Sequence, residues 1–431
     1  MLKLGNRNIA SMHLGGRAIS KAYLGSNLVW SAATPLPYDA EVEYLESTGT
    51  QWIDTGIYGR DGLLAKCRFR LSDTNSRNYI FQSRYDNASF FSLAHTLTSG
   101  ISVAANTATV MPINVLDMDW HSAEVDTTSY AKKVVYDDLE VSTWSLENLN
   151  VSVNHIYLFS NHSATTFSRA SISYFSIRDT STDQLLLDLI PVRKDGVGYM
   201  YDRVSGQLLG NSGTGDFIIG PDKPYDYEVA WVERDYSVPW LVNGSEPSRA
   251  GYSMPEYVIA DDVKNLTRKV SAIFSADADP GNTAVFGVWG NYSYGRCYVG
   301  TSYSEEGTHT VQNCGTYGEY FAGNAIQGIS VFNSVSIVPS GNGSAEVSLN
   351  GVVLGTLTAT RQSTITNCYA LFKNGRVGTI GTGRVRLKNA RLGSDVYLIP
   401  VVKGNAVGFY NMVDGKLFLA EQECLSAGPR V

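Results

Sequence analysis

No uninterrupted apolar stretch in this chain approaches the roughly 18 residues that span a bilayer. Cysteine is scarce and odd in number, five in 431 residues with no framework spacing. That excludes a disulfide scaffold and fits folding in a reducing cytoplasm. Basic residues do not cluster: 34 lysines and arginines stand against 41 acids, a net charge of −7, which argues against a nucleic-acid partner. The six histidines (His13, His95, His121, His155, His162 and His309) show neither i, i+4 spacing nor a Cys-x-x-Cys companion. There is no Gly-x-Ser-x-Gly nucleophile elbow and no phosphate-cradling glycine loop. No long amphipathic helix can be read. The first residues do not form a secretory leader, because Arg7, Arg17 and Lys21 break up any apolar run. No cofactor and no membrane insertion are expected.

What is present is repetition. Pro37-Tyr38-Asp39-Ala40-Glu41-Val42-Glu43-Tyr44 returns as Pro224-Tyr225-Asp226-Tyr227-Glu228-Val229-Ala230-Trp231, 187 residues later. Leu189-Ile190-Pro191-Val192 returns as Leu398-Ile399-Pro400-Val401, 209 residues later. After the closers the register holds, with Tyr201, Val204, Gly206 and Leu208 matching Tyr410, Val413, Gly415 and Leu417. Gly220-Pro221 and Gly428-Pro429 end the copies. In between, Ile80-Phe81 answers Val285-Phe286, and Tyr157-Leu158-Phe159 answers Ala370-Leu371-Phe372. The second copy's extra length enters mainly between Trp240 and Phe286. Residues shared by both copies read as scaffold, and residues peculiar to one as candidates for function.

A shorter repeat of ten residues opens the chain. Leu4-Gly5, Leu14-Gly15 and Leu24-Gly25 each lead into a small or polar pair, and Ile9, Ile19 and Val29-Trp30 follow in phase. Glycine followed by Asn, Gly or Ser between short apolar runs signals tight turns. The segment reads as a meander of very short strands, too small to fold alone and in need of a partner.

The remaining pattern is of strands. Lys66 to Leu71, Ser171 to Ile177 and Ser344 to Leu349 alternate with period two. Asn350-Gly351 supplies a hairpin turn before Val352, with Tyr136-Asp137-Asp138 at the same place in the first copy. The fold class expected is all-β, two tandem sandwiches behind a short β-meander. The boundaries expected are 1–33 for the opening repeat, 34–222 for the first module and 223–431 for the second.

The run from Tyr44 through Ser47-Thr48-Gly49-Thr50-Gln51-Trp52-Ile53-Asp54 to Gly56 is similar to the opening of concanavalin A-like, laminin-G-like jelly-roll modules. Such modules occur in virion proteins of tailed bacteriophages. Ile190-Pro191-Val192-Arg193, Gly198 to Asp202, Gly206 and Gly213-Thr214-Gly215 resemble the usual close of those modules. The stretches Val134 to Val141 and Val347 to Thr356 resemble their signature hairpin, and Tyr23 to Ser31 resembles the anchoring repeats of phage appendage proteins. The second copy departs at its opener, where Arg234 to Trp240 replaces the Ser-Thr-Gly-Thr run.

The resemblance implies a non-enzymatic virion appendage, made in the bacterial cytoplasm and located on the particle. It would dock on other virion proteins through residues 1–33, with Leu4, Gly5, Ile9, Leu14, Gly15, Ile19, Leu24, Gly25, Val29 and Trp30 as anchor. A homo-oligomer, by preference a trimer, and contact with surface glycans follow. The glycan candidates are Trp289, Tyr292, Tyr294, Tyr298, Tyr303, Tyr317 and Tyr320, whose flat rings could stack on sugars. Packing in the core or against another subunit is the plainer reading of the same rings. A virion decoration without glycan binding is the first alternative.

A glycan-degrading enzyme is the second. Retaining glycosidases need two carboxylates about 5–5.5 Å apart, and the nearest approach is Glu124-Val125-Asp126, followed by no third acid. Calcium could bind through Asp117-Met118-Asp119, Asp137-Asp138 or Asp261-Asp262, but paired loop aspartates are commonly turn residues. Cys297 and Cys314 could approach each other in a hairpin, with two free buried thiols the simpler expectation.

Overall fold

The computed structural model describes residues 36–84, 89–97, 100–107, 117–128, 132–137, 139–144, 151–238, 240–242, 246–247, 252–258, 269–276, 283–288, 296–304, 307–315, 321–325, 329–341, 344–358, 368–374 and 383–431, with six short strands before them. Every regular element among these residues is a strand, so the chain is all-β. Among the described residues no helix is long and apolar enough to cross a membrane.

The six leading strands pair in twos. Lys3–Leu4 pairs with Arg7–Asn8, Met12–Leu14 with Arg17–Ile19, and Lys21–Leu24 with Asn27–Ser31. The ten-residue period is thus one hairpin per repeat, and no ladder joins one hairpin to the next among the described residues.

Residues 40–219 then form two antiparallel sheets facing each other. The larger runs in the order Leu139–Trp144, Lys132–Tyr136, His121–Asp126, Leu63–Leu71, Arg169–Asp179, Gln184–Lys194, Val197–Asp202, Leu208–Leu209. The smaller runs Gly100–Thr107, Ser89–Thr96, Asn78–Arg84, His155–Leu158, Ile53–Tyr58. Period-two alternation is realised fully in Leu63–Leu71: Leu63, Ala65, Cys67, Phe69 and Leu71 are buried, and Leu64, Lys66, Arg68 and Arg70 face outward. Phe175 of the larger sheet meets Phe81 of the smaller at 5.5 Å between ring centroids. Each such fully buried ring contributes roughly 2–3 kcal/mol.

Residues 227–427 repeat the arrangement strand for strand. The larger sheet there runs Val352–Thr358, Ser344–Leu349, Asn333–Gly341, Val270–Ala276, Arg384–Leu392, Val396–Lys403, Ala406–Asn411, Leu417–Ala420. A six-stranded sheet faces it, enlarged by Phe321–Ala325. A separate small pair, Leu241–Val242 with Glu246–Pro247, falls in the stretch where the sequence places the extra length. The result is two jelly-roll sandwiches, each with its own core.

Irregularities repeat as faithfully as strands do. A bulge interrupts the central ladder at Arg68/Phe69 and again at Ile273/Phe274. Another sits at Tyr79/Phe81 and at Ala284/Phe286. Phe159 and Phe372, both fully buried, each hold a left-handed backbone with φ of 62° and 57°, a conformation rare for a bulky side chain. Bulges and strained residues are specific features, so their recurrence at matched positions marks one ancestral unit copied twice. The Gly-Pro endings have a packing reason. A Cβ on Gly220 would lie 2.8 Å from the Tyr44 ring, and one on Gly428 would lie 2.7 Å from the matching Trp231 ring.

Candidate functional site

The two repeats differ where their larger sheets turn outward. Strand register sets Lys66 opposite Glu124 in the first repeat and Ser271 opposite Ser336 in the second. These are the same two places, counted from the equivalent bulges. In the first repeat the pair closes as a salt bridge of 2.6 Å. In the second, two short hydroxyl side chains leave the surface open, and Ser336 turns to share a hydrogen bond of 2.7 Å with Ser348.

The opening is a cleft of ≈ 530 Å³. Ser271, Ser334, Ser336, Ser348 and Asn389 line it from the second repeat, and Ile273 is the one aliphatic side chain among its lining residues. The first repeat supplies the facing wall, with Asp117, Asp119, His121 and Asp137. A chain of charged hydrogen bonds fixes that wall. His121 donates from Nδ1 to Asp137 and from Nε2 to Asp117, both at 2.8 Å. Burial alone would lower the pKa of His121, but these two carboxylate bonds push it up to about 9, so the ring is an imidazolium at neutral pH. Despite burial, Arg391 and His121 hold the carboxyl of Asp137 below its ordinary value. Asp137 adopts φ of 48° at the tip of its hairpin and accepts from the Ser122 N–H, which aims both oxygens at the cleft wall.

Arg391 crosses from the second repeat to close the chain. It donates to Asp137 Oδ1 at 2.9 Å and to the Trp120 carbonyl at 2.8 Å, and its guanidinium lies 3.9 Å from the centre of the Tyr397 ring. Lys269 stands exposed at the rim; enclosure by the cleft, then the charge of Arg391, lowers its pKa. The site therefore presents hydroxyls, an amide and charges of both signs, with Ile273 as its one aliphatic side chain.

A second set of contacts locks the repeats together beside the cleft. Arg68 pairs with Glu228 at 2.9 Å, and Lys223 and the Tyr225 hydroxyl also reach that carboxylate. Burial would raise Glu228, but the Arg68 and Lys223 charges hold it at about 2. Glu43 of the first repeat is buried and accepts a hydrogen bond from the Tyr410 hydroxyl of the second. Desolvation pushes this carboxyl up to about 7 against the opposing pull of Arg70 and Lys223. Trp120 and Tyr44 join Tyr225, Tyr397, Ile399 and Tyr410 in an apolar cluster under these charges.

The residues singled out from sequence are placed as follows. Trp289, Tyr292, Tyr294, Tyr317 and Tyr320 lie outside the described residues. Tyr298 and Tyr303 fall on Arg296–Ser304, in the smaller sheet of the second repeat and so not on the sheet that floors the cleft. Cys297 and Cys314 are direct cross-strand neighbours, as a hairpin requires. Of the anchor residues, Leu4, Leu14, Ile19, Leu24, Val29 and Trp30 are on strands, whereas Gly5, Ile9, Gly15 and Gly25 lie outside the described residues. Asp117 and Asp137, considered as calcium ligands, do converge, but on His121; Asp138, Asp261 and Asp262 lie outside the described residues. Among the described residues no group of three or more such side chains is arranged to hold a metal ion. Glu124 is committed to Lys66, and Asp126 accepts from the Thr128 N–H.

His121, Arg391 and the serine floor were not anticipated. The signal for the floor was available in the repeat itself, as the loss of the Lys66–Glu124 pair in the second copy.

No family model matches the chain, and no curated protein matches it in sequence. Among solved structures it is similar to domains LG4–5 of the mouse laminin α1 chain, at 10% identity over 95% of this chain and 99% of that one, with a TM-score of 0.28. The LG1–3 region of the laminin α2 chain gives 10% identity, 97% and 69% coverage and a TM-score of 0.28. A Trypanosoma rangeli sialidase in complex with sialic acid gives 10%, 73%, 58% and 0.24. At these TM-scores the similarity carries nothing about site or activity, and the jelly-roll assignment rests on the chain's own strand order.

Proposed function

We propose that the chain is a non-catalytic binding protein whose cleft between the repeats takes a polyhydroxylated ligand, a glycan of a bacterial or mucosal surface. The observation that carries this is the replacement of Lys66 and Glu124 by Ser271 and Ser336, which turns a closed ion pair into an open cleft of ≈ 530 Å³. A cleft of that size suits a small-molecule-sized ligand. Its serine hydroxyls, Asn389 amide and carboxylates are the groups that read sugar hydroxyls. Asp117, Asp119, His121, Asp137, Lys269 and Arg391 in the lining disfavour a lipid or an apolar peptide. The aromatic residues Trp289, Tyr292, Tyr294, Tyr298, Tyr303, Tyr317 and Tyr320 are kept as a second candidate site; of these, Tyr298 and Tyr303 belong to a strand of the opposite sheet.

The wider setting follows the resemblance of the sequence: a phage appendage located on the virion, divided into residues 1–33, 34–222 and 223–431. Residues 1–33 dock it on other virion proteins, and it assembles as a trimer. Clustering of weak sites would then raise their effective concentration. Mass photometry of the full chain should report three copies; a monomer throughout would remove that part.

The central test is an array of bacterial and mucosal glycans probed with the full chain held on multivalent beads. Ser271→Trp, which fills the cleft, should lower the signal at least about tenfold. Val153→Trp, on an exposed position outside the cleft, should not. An array with no signal at high valency would favour the purely structural virion role. Release of reducing sugar, lost on Glu124→Gln, would instead establish a hydrolase.

A further inference from the structure

We infer that the cleft is one station of a groove running along the seam of the two repeats, and that an extended chain of linked sugars lies in it and touches both repeats at once. This rests on the glycan reading above and goes beyond it, because it makes the tandem pair, and not either sandwich alone, the binding unit.

Three cavities adjoin one another in sequence. The cleft of ≈ 530 Å³ meets a second of ≈ 280 Å³ at Asn389, which lines both. The second meets a third of ≈ 430 Å³ at Lys66 and Val431, again shared. The middle cavity draws much of its wall from outward positions of the two larger sheets. Lys66, Ser122 and Val135 come from the first repeat, and Asn389, Tyr397 and Ile399 from the second. The middle cavity is thus bounded by both repeats, and nothing can fill it without touching both.

The groove also has a fixed width. The Arg391–Asp137 bridge and the Arg68–Glu228 bridge tie the two sheets at separate points along the seam, and the Glu43–Tyr410 bond adds a third tie. An occupant meets a surface already in place, so little ordering cost falls on binding. Hydroxyls and charges of both signs line each of the three cavities, joined in the middle one by Val135, Val229, Ile399 and Pro400. A single sugar would fill one station and leave the rest solvated. A linear chain gains at each station in turn, since the second contact is made at the effective concentration set by the first. Acids outnumber bases in the chain, which disfavours a nucleic acid in the same groove.

The test uses the full chain and size-fractionated capsular and lipopolysaccharide O-chains, from two to about twenty units, in a label-free binding assay. Fragments long enough to pass Asn389 should bind at least about tenfold more tightly than di- and trisaccharides, a gap of about 1.4 kcal/mol. Val135→Trp, at a half-buried outward position of the middle cavity, should bring long fragments down to the short-fragment affinity. Ser271→Trp should weaken both lengths. Hydrogen exchange on the unaltered protein supplies a measurement free of folding effects. Long fragments should protect His121–Asp126 of the first repeat and Arg384–Leu392 of the second together. Equal affinity at all lengths, or protection confined to the second repeat, would overturn the groove while leaving the cleft as a glycan site. No binding at any length would overturn the glycan reading as well.

Discussion

The titratable side chains at the seam give it a pH response of definite sign. His121 titrates at about 9 in the folded chain against 6.5 for the ordinary side chain. Its stabilisation is therefore whole below about 6.5 and fades as pH climbs through 9. Glu43 titrates at about 7 against 4.5, so it too favours the fold at the low end and loses that benefit as pH rises through 7. The opposing limb comes from carboxylates held low, Glu228 at about 2 and Asp117 and Asp137 below their ordinary range, whose contribution is lost on acidification. Stability should peak near pH 4.5 and fall toward pH 9. Each of the two raised groups accounts for roughly 3 kcal/mol, by the conversion of about 1.36 kcal/mol per pKa unit. Thermal melts of Glu43→Gln should lose the slope between pH 4.5 and 7, and those of His121→Asn the slope between 6.5 and 9. A wild-type melting temperature that rises from pH 6 to 9 would contradict both assignments.

At the level of single elements, much was legible in advance. Period two in Lys66 to Leu71 fixed which residues face inward, and the Asn350-Gly351 pair forms its hairpin with φ of 50° and 79°. The matched Gly-Pro endings were visible as a pattern, but their reason was not. Only the fold brings Gly220 against Tyr44 and Gly428 against Trp231, across more than 170 residues of chain. The consequence can be measured: Gly220→Ala and Gly428→Ala should each cost about 1–3 kcal/mol in urea unfolding, the usual penalty for overpacking a site with no room. Equal stability of either variant would mean the ring can step aside. The cleft was less legible still, because its wall and floor come from different repeats. Asp137 and Arg391 are 254 residues apart, and no local spacing announces such a pair. A pairwise comparison of the copies could have found the serine floor at Ser271 and Ser336, but not the His121 bridge above it.

For the whole molecule the question is whether two sandwiches with separate cores behave as one body. Their cores are independent, with Phe69, Phe81 and Phe175 in one and Phe274, Phe286 and Phe409 in the other. Independence of cores alone would give two unfolding transitions. The seam works against this. It contains the Arg68–Glu228 and Arg391–Asp137 bridges, the Glu43–Tyr410 bond and an apolar cluster built on Trp120 and Tyr397. Removing one partner of a buried pair costs about 3–5 kcal/mol because the other charge is left behind, and these part-buried pairs carry a share of that cost. The two pairs, the Glu43–Tyr410 bond and the apolar cluster act together across the seam. Calorimetry of the full chain at pH 6 should therefore show a single transition. In Arg68→Ala/Arg391→Ala, which spares both cores, the trace should split in two, with the more stable sandwich melting near the wild-type temperature. Two transitions in the wild-type chain at pH 6 would mean the bridges do not couple the repeats, and the groove they frame would then lose its fixed width.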